Sequence, residues 1–394
     1  MTDSQTRAVP RRSPGPGIEP LATGPLPSPG NCYHEGSATK GELKALTSVR
    51  GIAAWLVVFF HLRRSIADLP DAAMTVLSKG YLAVDFFFLL SGFVIWLSYG
   101  ERIRERGFGA VPEFLKRRVA RIWPLHLFML GFAVMLAAAL AATGRGSDHF
   151  PFHELPLHVV LLQNWGFTDT LDWNDPAWSI SCELGAYLLF PLLALAIDWR
   201  RVPAWAVLAA IGSLLVLLHW VFASRGATSL GQAIPSIGIL RCILEFACGT
   251  AVGALWLRWK ERWALPAALS ALAAAAFAAG WWLGVPETLA VPAAFAALLL
   301  ALALTSAKAG NPLEAAPIHY LGEISYATYL GHYLLWFAFK LAFVSDAHAV
   351  GWPVIGMFLL LVLASSAALY HFVERPAQRW VNGWRPRIRR PATI

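Results

Sequence analysis

The chain has 394 residues, 57% of them hydrophobic and only 14% charged. Soluble domains carry about 25% charged residues, so the composition excludes an ordinary soluble domain and implies an integral membrane protein. The net charge of +8 is no sign of nucleic-acid binding, because the basic residues stand in short loops between apolar runs.

Residues 1–40 include SPGPGIEPLATGPLPSPG, a Pro/Gly-rich tail with nothing to bury, and are expected to be disordered. The first apolar run comes too late for a signal peptide. Ten runs of spanning length follow, near 45–62, 80–99, 122–143, 178–197, 202–222, 237–257, 264–284, 288–307, 321–343 and 352–373. The fold expected is an all-α membrane bundle of about ten transmembrane helices over 41–380, with a basic tail at 381–394. The run at 157–165 is too short to span. Alternating crossings collect 25 of the 32 lysines and arginines on one side. That bias predicts a multi-pass protein of the inner (plasma) membrane with both termini cytoplasmic. The longest outer loop, 144–177, is rich in His, Asp, Trp and Pro.

Several runs carry ionisable residues, which are costly at membrane depth and tend to line cavities or pathways. Arg50 and His61 stand eleven positions apart in LTSVRGIAAWLVVFFHL. Eleven steps of about 100° return to the same helix face, with a rise of roughly 16 Å between the two. Arg118 and Arg121, in FLKRRVARIWP, share a face at one mouth of the third run; paired guanidinium groups suit phosphate. Glu183, in DPAWSISCELGAY, is expected at the depth of His61, where a carboxylate could orient the imidazole. Asp85 needs an intramembrane partner. Arg241 and Glu245 stand at ion-pair spacing, and Ser325 and His332 share a face. HFVERPAQRW near the C-terminus reads as an anchor at the inner interface. Cys32, Cys182, Cys242 and Cys248 form no CxxC pair and read as buried small side chains. The residues imply no metal and no bound cofactor.

In this order the motifs resemble the acyltransferase-3 family of integral membrane O-acyltransferases. The resemblance rests on Arg50 and His61, VDFFFLLSGF, Arg118 and Arg121 followed by IWP, Trp178-Ser179 with Glu183, Arg241 with Glu245, SYATYLGH and the closing ERP, and it covers Leu43 to Trp380. It implies transfer of an acyl group, commonly acetyl from acetyl-CoA, to a carbohydrate or other hydroxyl compound. It also implies functional roles for His61, Arg50, Arg118 and Arg121. Two departures stand out. Leu184-Gly185 follow Glu183, where many members carry a second acidic or amide residue. The C-terminal hydrolase-like domain of some members is not expected here, and the acceptor is expected to be met alone or through a partner protein.

On this reading acyl-CoA docks from the cytoplasm on Arg118 and Arg121. His61 acts as general base, Glu183 orients it and Arg50 steadies charge along the path. Two rivals use the same residues. One is a transporter or flippase of lipid-linked sugars with a proton relay, although no inverted repeat of broken segments is visible; the other is a catalytically silent scaffold.

Overall fold

A computed structural model describes Thr2 and residues 43–384, apart from Ser147, Ala307 and Ala309. Apart from Thr2, the proline-rich segment 1–40, with Cys32, lies outside the described residues, as do the basic residues from Arg385 onward.

Ten helices of 18 residues or more follow one another: α1 Lys44–Leu62, α2 Ala83–Arg106, α3 Val111–Ala142, α4 Ala177–Ala196, α5 Ala204–Ser224, α6 Ile234–Trp259, α7 Ala264–Trp282, α8 Glu287–Thr305, α9 Ser325–Phe343 and α10 Trp352–Leu369. They coincide with the ten apolar runs. Eight helical segments are long and apolar enough to cross a membrane, and one of them, 71–142, holds both α2 and α3. The remaining long helix, α9, is diluted by Ser325, Thr328, His332 and Lys340. The described residues form an all-α polytopic bundle.

The boundaries follow local chemistry. α3 begins eleven residues before its apolar run, because FLKRRVARI contains no helix breaker and Pro112 sits where a helix tolerates proline. Gly107, at φ 57°, ends α2 and lets the chain turn into α3. The 321–343 run divides into a short helix, Ala316–Glu323, and α9. The short run near 157–165 yields only a five-residue helix, Leu155–Val159.

α6 is the most enclosed helix and α7 the least, with Ala267 alone buried on α7. At the centre α2 and α6 cross closely. A Cβ at Gly92 would collide with the Phe246 carbonyl, and a Cβ at Gly249 with the Leu89 carbonyl. Small residues at a crossing let backbones approach in this way. Across the same interface Arg241 donates through Nε and Nη2 to the two oxygens of Asp85, both at 2.7 Å, and through Nη1 to the Leu230 carbonyl at 2.8 Å. All these side-chain groups are buried.

The intramembrane partner of Arg241 is therefore Asp85, and the expected Arg241–Glu245 ion pair does not form. Asp85 presents both oxygens to the guanidinium fork, a geometry that favours bidentate pairing. Glu245 lies within electrostatic reach of the pair.

Breaking a buried pair leaves a bare charge and costs about 3–5 kcal/mol. Asp85→Asn and Arg241→Met should each lower thermal stability in detergent accordingly, and the double variant should lose less than the two together. A loss below about 1 kcal/mol, the range of exposed pairs, would show that the pair contributes little.

Candidate functional site

α1 and α9 hold two ends of one polar seam. Arg50 donates from Nε to Ser325 Oγ at 2.9 Å and from Nη2 to the Gly322 carbonyl at 2.8 Å. Ser325 Oγ donates to the same carbonyl at 2.7 Å. Gly322 lies at the break before α9, and a Cβ there would strike the Thr47 carbonyl of α1. Close approach and helix break together place a carbonyl where Arg50 can take it.

Further along the same two helices His61 meets His332, with His332 Nε2 at 3.1 Å from His61 Nδ1. Each ring also places Nδ1 on the carbonyl four residues back. His61 lies 3.0 Å from the Val57 oxygen and His332 3.0 Å from the Thr328 oxygen. A carbonyl only accepts, so the network assigns the proton to Nδ1 on both neutral rings. His61 Nδ1–H then lies between the Val57 oxygen and the lone pair of His332 Nε2. His61 Nε2 keeps its own lone pair and has no partner among the described residues. Phe60 and Tyr333 pack edge-on to His61, with ring centroids at 5.0 and 5.3 Å. A neutral imidazole with a fixed tautomer and one free nitrogen is poised to accept a proton.

Glu183 is not part of this pair. It accepts from Ser91 Oγ of α2 and sits one turn before Tyr187. Its sequence position explains why: six residues into α4 it lies roughly 9 Å below the start of that helix, whereas His61 stands in the last turn of α1. α4 packs against α2 and α6, while α1 packs against α9 and Ala316–Glu323. The side chain that hydrogen-bonds to His61 is that of His332.

Arg118 and Arg121 also part company. Arg121 forms an ion pair with Glu374, a buried carboxylate in the π turn Tyr370–Glu374. Gln378 donates to the same Glu374 oxygen at 3.2 Å. The Arg121 guanidinium lies over Tyr326, 5.5 Å from the ring centroid, and Tyr326 donates to the Ile122 carbonyl at 2.6 Å. Arg118 lies over Tyr99 at 5.3 Å, with a 3.4 Å contact from Nη2 to the Tyr99 hydroxyl. Arg118 Nε is buried without a partner, and no carboxylate pairs with Arg118 among the described residues. Arg121, Glu374 and Glu183 each lie within electrostatic reach of Arg50.

The 144–177 loop closes over the other end of the bundle. Trp173, held at φ 62°, is buried and donates from Nε1 to the Pro151 carbonyl at 3.2 Å. Burial, and then the Asp172 carboxylate, push Asp175 up to about 7. Burial, and then His126, hold His158 down to about 4. Asn174 Nδ2 donates to the Leu330 carbonyl at 2.9 Å, which ties this loop to α9 two residues before His332.

Sequence reasoning placed Arg50 and His61 on one face and gave Ser325 and His332 a shared face, without joining the two. It read Glu374 as an anchor, although the residue neutralises Arg121. The one signal for the joining was the pairing of two seams, Arg–x10–His and Ser–x6–His, each with its polar groups at matching ends. No group of three or more His, Cys, Asp or Glu side chains converges among the described residues.

Comparison with known proteins bears on this site. A family profile described as "Acyltransferase domain" matches residues 43–371. The chain is 30% identical over 375 residues to Acyltransferase MdmB of Streptomyces mycarofaciens, covering 87% of this chain and 94% of that one. It is 29% identical over 315 residues to Exopolysaccharide production protein ExoZ of Rhizobium meliloti, covering 76% and 90% respectively. It is 22% identical over 373 residues to O-acetyltransferase OatA of Staphylococcus aureus, covering 86% of this chain and 57% of that protein. No solved structure matches. With Arg50, His61 and the seam they form all inside the matched residues, the chain belongs to the acyltransferase-3 family of membrane O-acyltransferases.

Proposed function

We propose that the protein moves an acyl group, acetyl in the first instance, from cytoplasmic acyl-CoA to a hydroxyl of a carbohydrate or glycosylated secondary-metabolite acceptor on the opposite side of the membrane. The observation that carries this reading is the free Nε2 of His61, with its tautomer fixed by Val57 and His332. The relatives named for acyl transfer, exopolysaccharide production and O-acetyl transfer support the substrate class. The positive-inside bias supports a cytoplasmic Arg118 and an outward-facing His61 in the plasma membrane, with both termini cytoplasmic.

His61 Nε2 takes the proton of the acceptor hydroxyl as its oxygen attacks the thioester carbon. The C–S bond breaks as the ester C–O bond forms, and the imidazolium returns the proton to the departing CoA thiolate. His332 is a positioning residue, because its lone pair holds His61 Nδ1–H and so keeps Nε2 facing the hydroxyl. Arg50 is held by Ser325 and Gly322, and its charge offsets negative charge that develops along the path. Of the two arginines at the far mouth, Arg118 is the phosphate ligand, since Arg121 already has Glu374. A partner protein that delivers the acceptor is compatible with this arrangement.

His61→Ala should lower kcat by about 10²–10⁴-fold, the contribution of a positioned base, while the protein stays monodisperse in detergent. His332→Ala should lower kcat less, leave the KM for acyl-CoA unchanged and shift the pH profile. His332→Gln, whose amide oxygen can accept from His61, should recover part of the rate. Wild-type turnover by His61→Ala would falsify the general-base role.

Arg118→Ala should raise the KM for acyl-CoA, with Arg118→Lys recovering only part because lysine lacks the bidentate fork. Arg121→Ala should instead lower thermal stability, since it leaves Glu374 bare, and Arg121→Ala with Glu374→Gln should recover it. Calorimetry showing wild-type acyl-CoA affinity for Arg118→Ala would exclude the phosphate role.

Sidedness has its own test. In sealed inverted vesicles, added acyl-CoA should support transfer to an acceptor held in the lumen. In right-side-out vesicles external acyl-CoA should not. The opposite pattern would exclude transfer through the membrane.

A further inference from the structure

The 144–177 loop and the start of α4 enclose a cavity of about 10 Å³, lined by His158, Gln163, Asn164, Asn174, Asp175 and Trp178 among others. That is room for one single-atom ligand. Three amides on its wall are each oriented by a carbonyl. Gln163 Nε2 donates to the Ala177 oxygen at 3.3 Å, Asn164 Nδ2 to the Ile234 oxygen at 3.1 Å and Asn174 Nδ2 to the Leu330 oxygen at 2.9 Å. A carbonyl partner requires the NH2 group, so none of the three amides can be flipped. Their oxygens, Gln163 Oε1, Asn164 Oδ1 and Asn174 Oδ1, are buried and have no hydrogen-bond partner among the described residues. The three side chains are only 4%, 1% and 2% exposed. The Asp175 carboxyl borders the same space.

Buried polar groups without partners are costly. Here the unmet groups are the three amide oxygens and His158 Nδ1; one water can accept from His158 and give its two protons to two amides, which leaves one amide oxygen and the bordering carboxylates unmet by that water. We propose that this cavity is a site for a hard divalent cation of the calcium class, held by the oxygens of Gln163, Asn164, Asn174 and Asp175. Calcium takes amide, carboxylate and water oxygens in flexible geometry, whereas magnesium demands a near-ideal octahedron and keeps its waters. Asp172 and His158 also line the cavity, but amide and carboxylate oxygens predominate there, and such a set disfavours zinc or copper, which select nitrogen and sulfur. The ion would tie the 144–177 loop to α4 through Gln163 and Asn164 and to α9 through Asn174, beside the His332 seam. This assignment stands independently of the proposed donor and acceptor.

The test uses the full-length purified protein in detergent. Terbium, a calcium stand-in, is added and excited through tryptophan, with Trp178 on the cavity wall as sensitiser. Terbium luminescence should appear and be displaced by calcium far better than by equal magnesium, and calcium should raise the unfolding temperature while chelator lowers it. Asp175→Asn, which keeps the shape and removes the charge, should weaken calcium competition at least about tenfold. Gln163→Met, which removes one oxygen, decides the matter if Asp175→Asn does not fold. The proposal is overturned if wild type shows no calcium-displaceable signal at about 10 mM, above the weakest protein calcium sites near 1 mM. It is equally overturned if the folded variants compete like wild type.

Discussion

A charge inside an apolar bundle must be matched, because no water is present to solvate it. This constraint explains where the helices of the protein meet. Asp85 and Arg241 join α2 to α6 at the point where Gly92 and Gly249 allow the backbones to touch. Arg50 joins α1 to the break before α9, and Arg121 joins α3 to the π turn after α10 through Glu374. Each match uses a different chemistry: a bidentate carboxylate, a carbonyl with a hydroxyl, and a single carboxylate oxygen. Hydrophobic matching alone would not specify these contacts, since lipid tails are as apolar as leucine.

The ten helices were legible because a run of about twenty apolar residues has few alternatives in a membrane. Arg50 and His61 were legible for a related reason, since helical periodicity settles which residues share a face. Partners across helices were not. Arg241 has Glu245 one turn away, and local spacing favours that pair; the guanidinium instead takes Asp85, 156 positions distant, because the α2–α6 crossing brings both carboxylate oxygens to it. Glu183 illustrates the same limit. The expected match in depth with His61 does not hold, and local spacing gave no sign that α2 would meet it through Ser91 while α9 faced α1. Glu374 lay in a segment that reads as an interfacial anchor, and only the π turn carries its carboxylate inward to Arg121.

The two arginines of the RxxR motif show why a shared face does not mean a shared task. Three residues apart on α3, they point to different neighbours. Arg121 meets a buried carboxylate that compensates its charge, so further anion binding there would have to displace Glu374. Arg118 meets an aromatic ring and a hydroxyl, neither of which neutralises it. Guanidinium groups tolerate stacking on tyrosine while keeping their outer N–H groups free for an anion. The charge left over at this mouth therefore belongs to Arg118, and a polyanionic donor would be drawn to it.

At the other end of α1 the same economy of partners acts on a neutral group. A helix carbonyl has two lone pairs, and the main-chain N–H four residues ahead uses one. His61 takes the second lone pair of Val57, and His332 takes that of Thr328. Each ring is thus fixed by its own helix before any substrate arrives, and the contact between the rings adds one shared hydrogen at 3.1 Å. On the proposed role, the base does not depend on the acceptor for its tautomer or its aim. A hydroxyl from a sugar or from another alcohol would meet the same lone pair in the same direction. Selectivity among acceptors must then arise around His61 rather than at it, in the rings of Phe60 and Tyr333 and in the loop that Asn174 holds against α9.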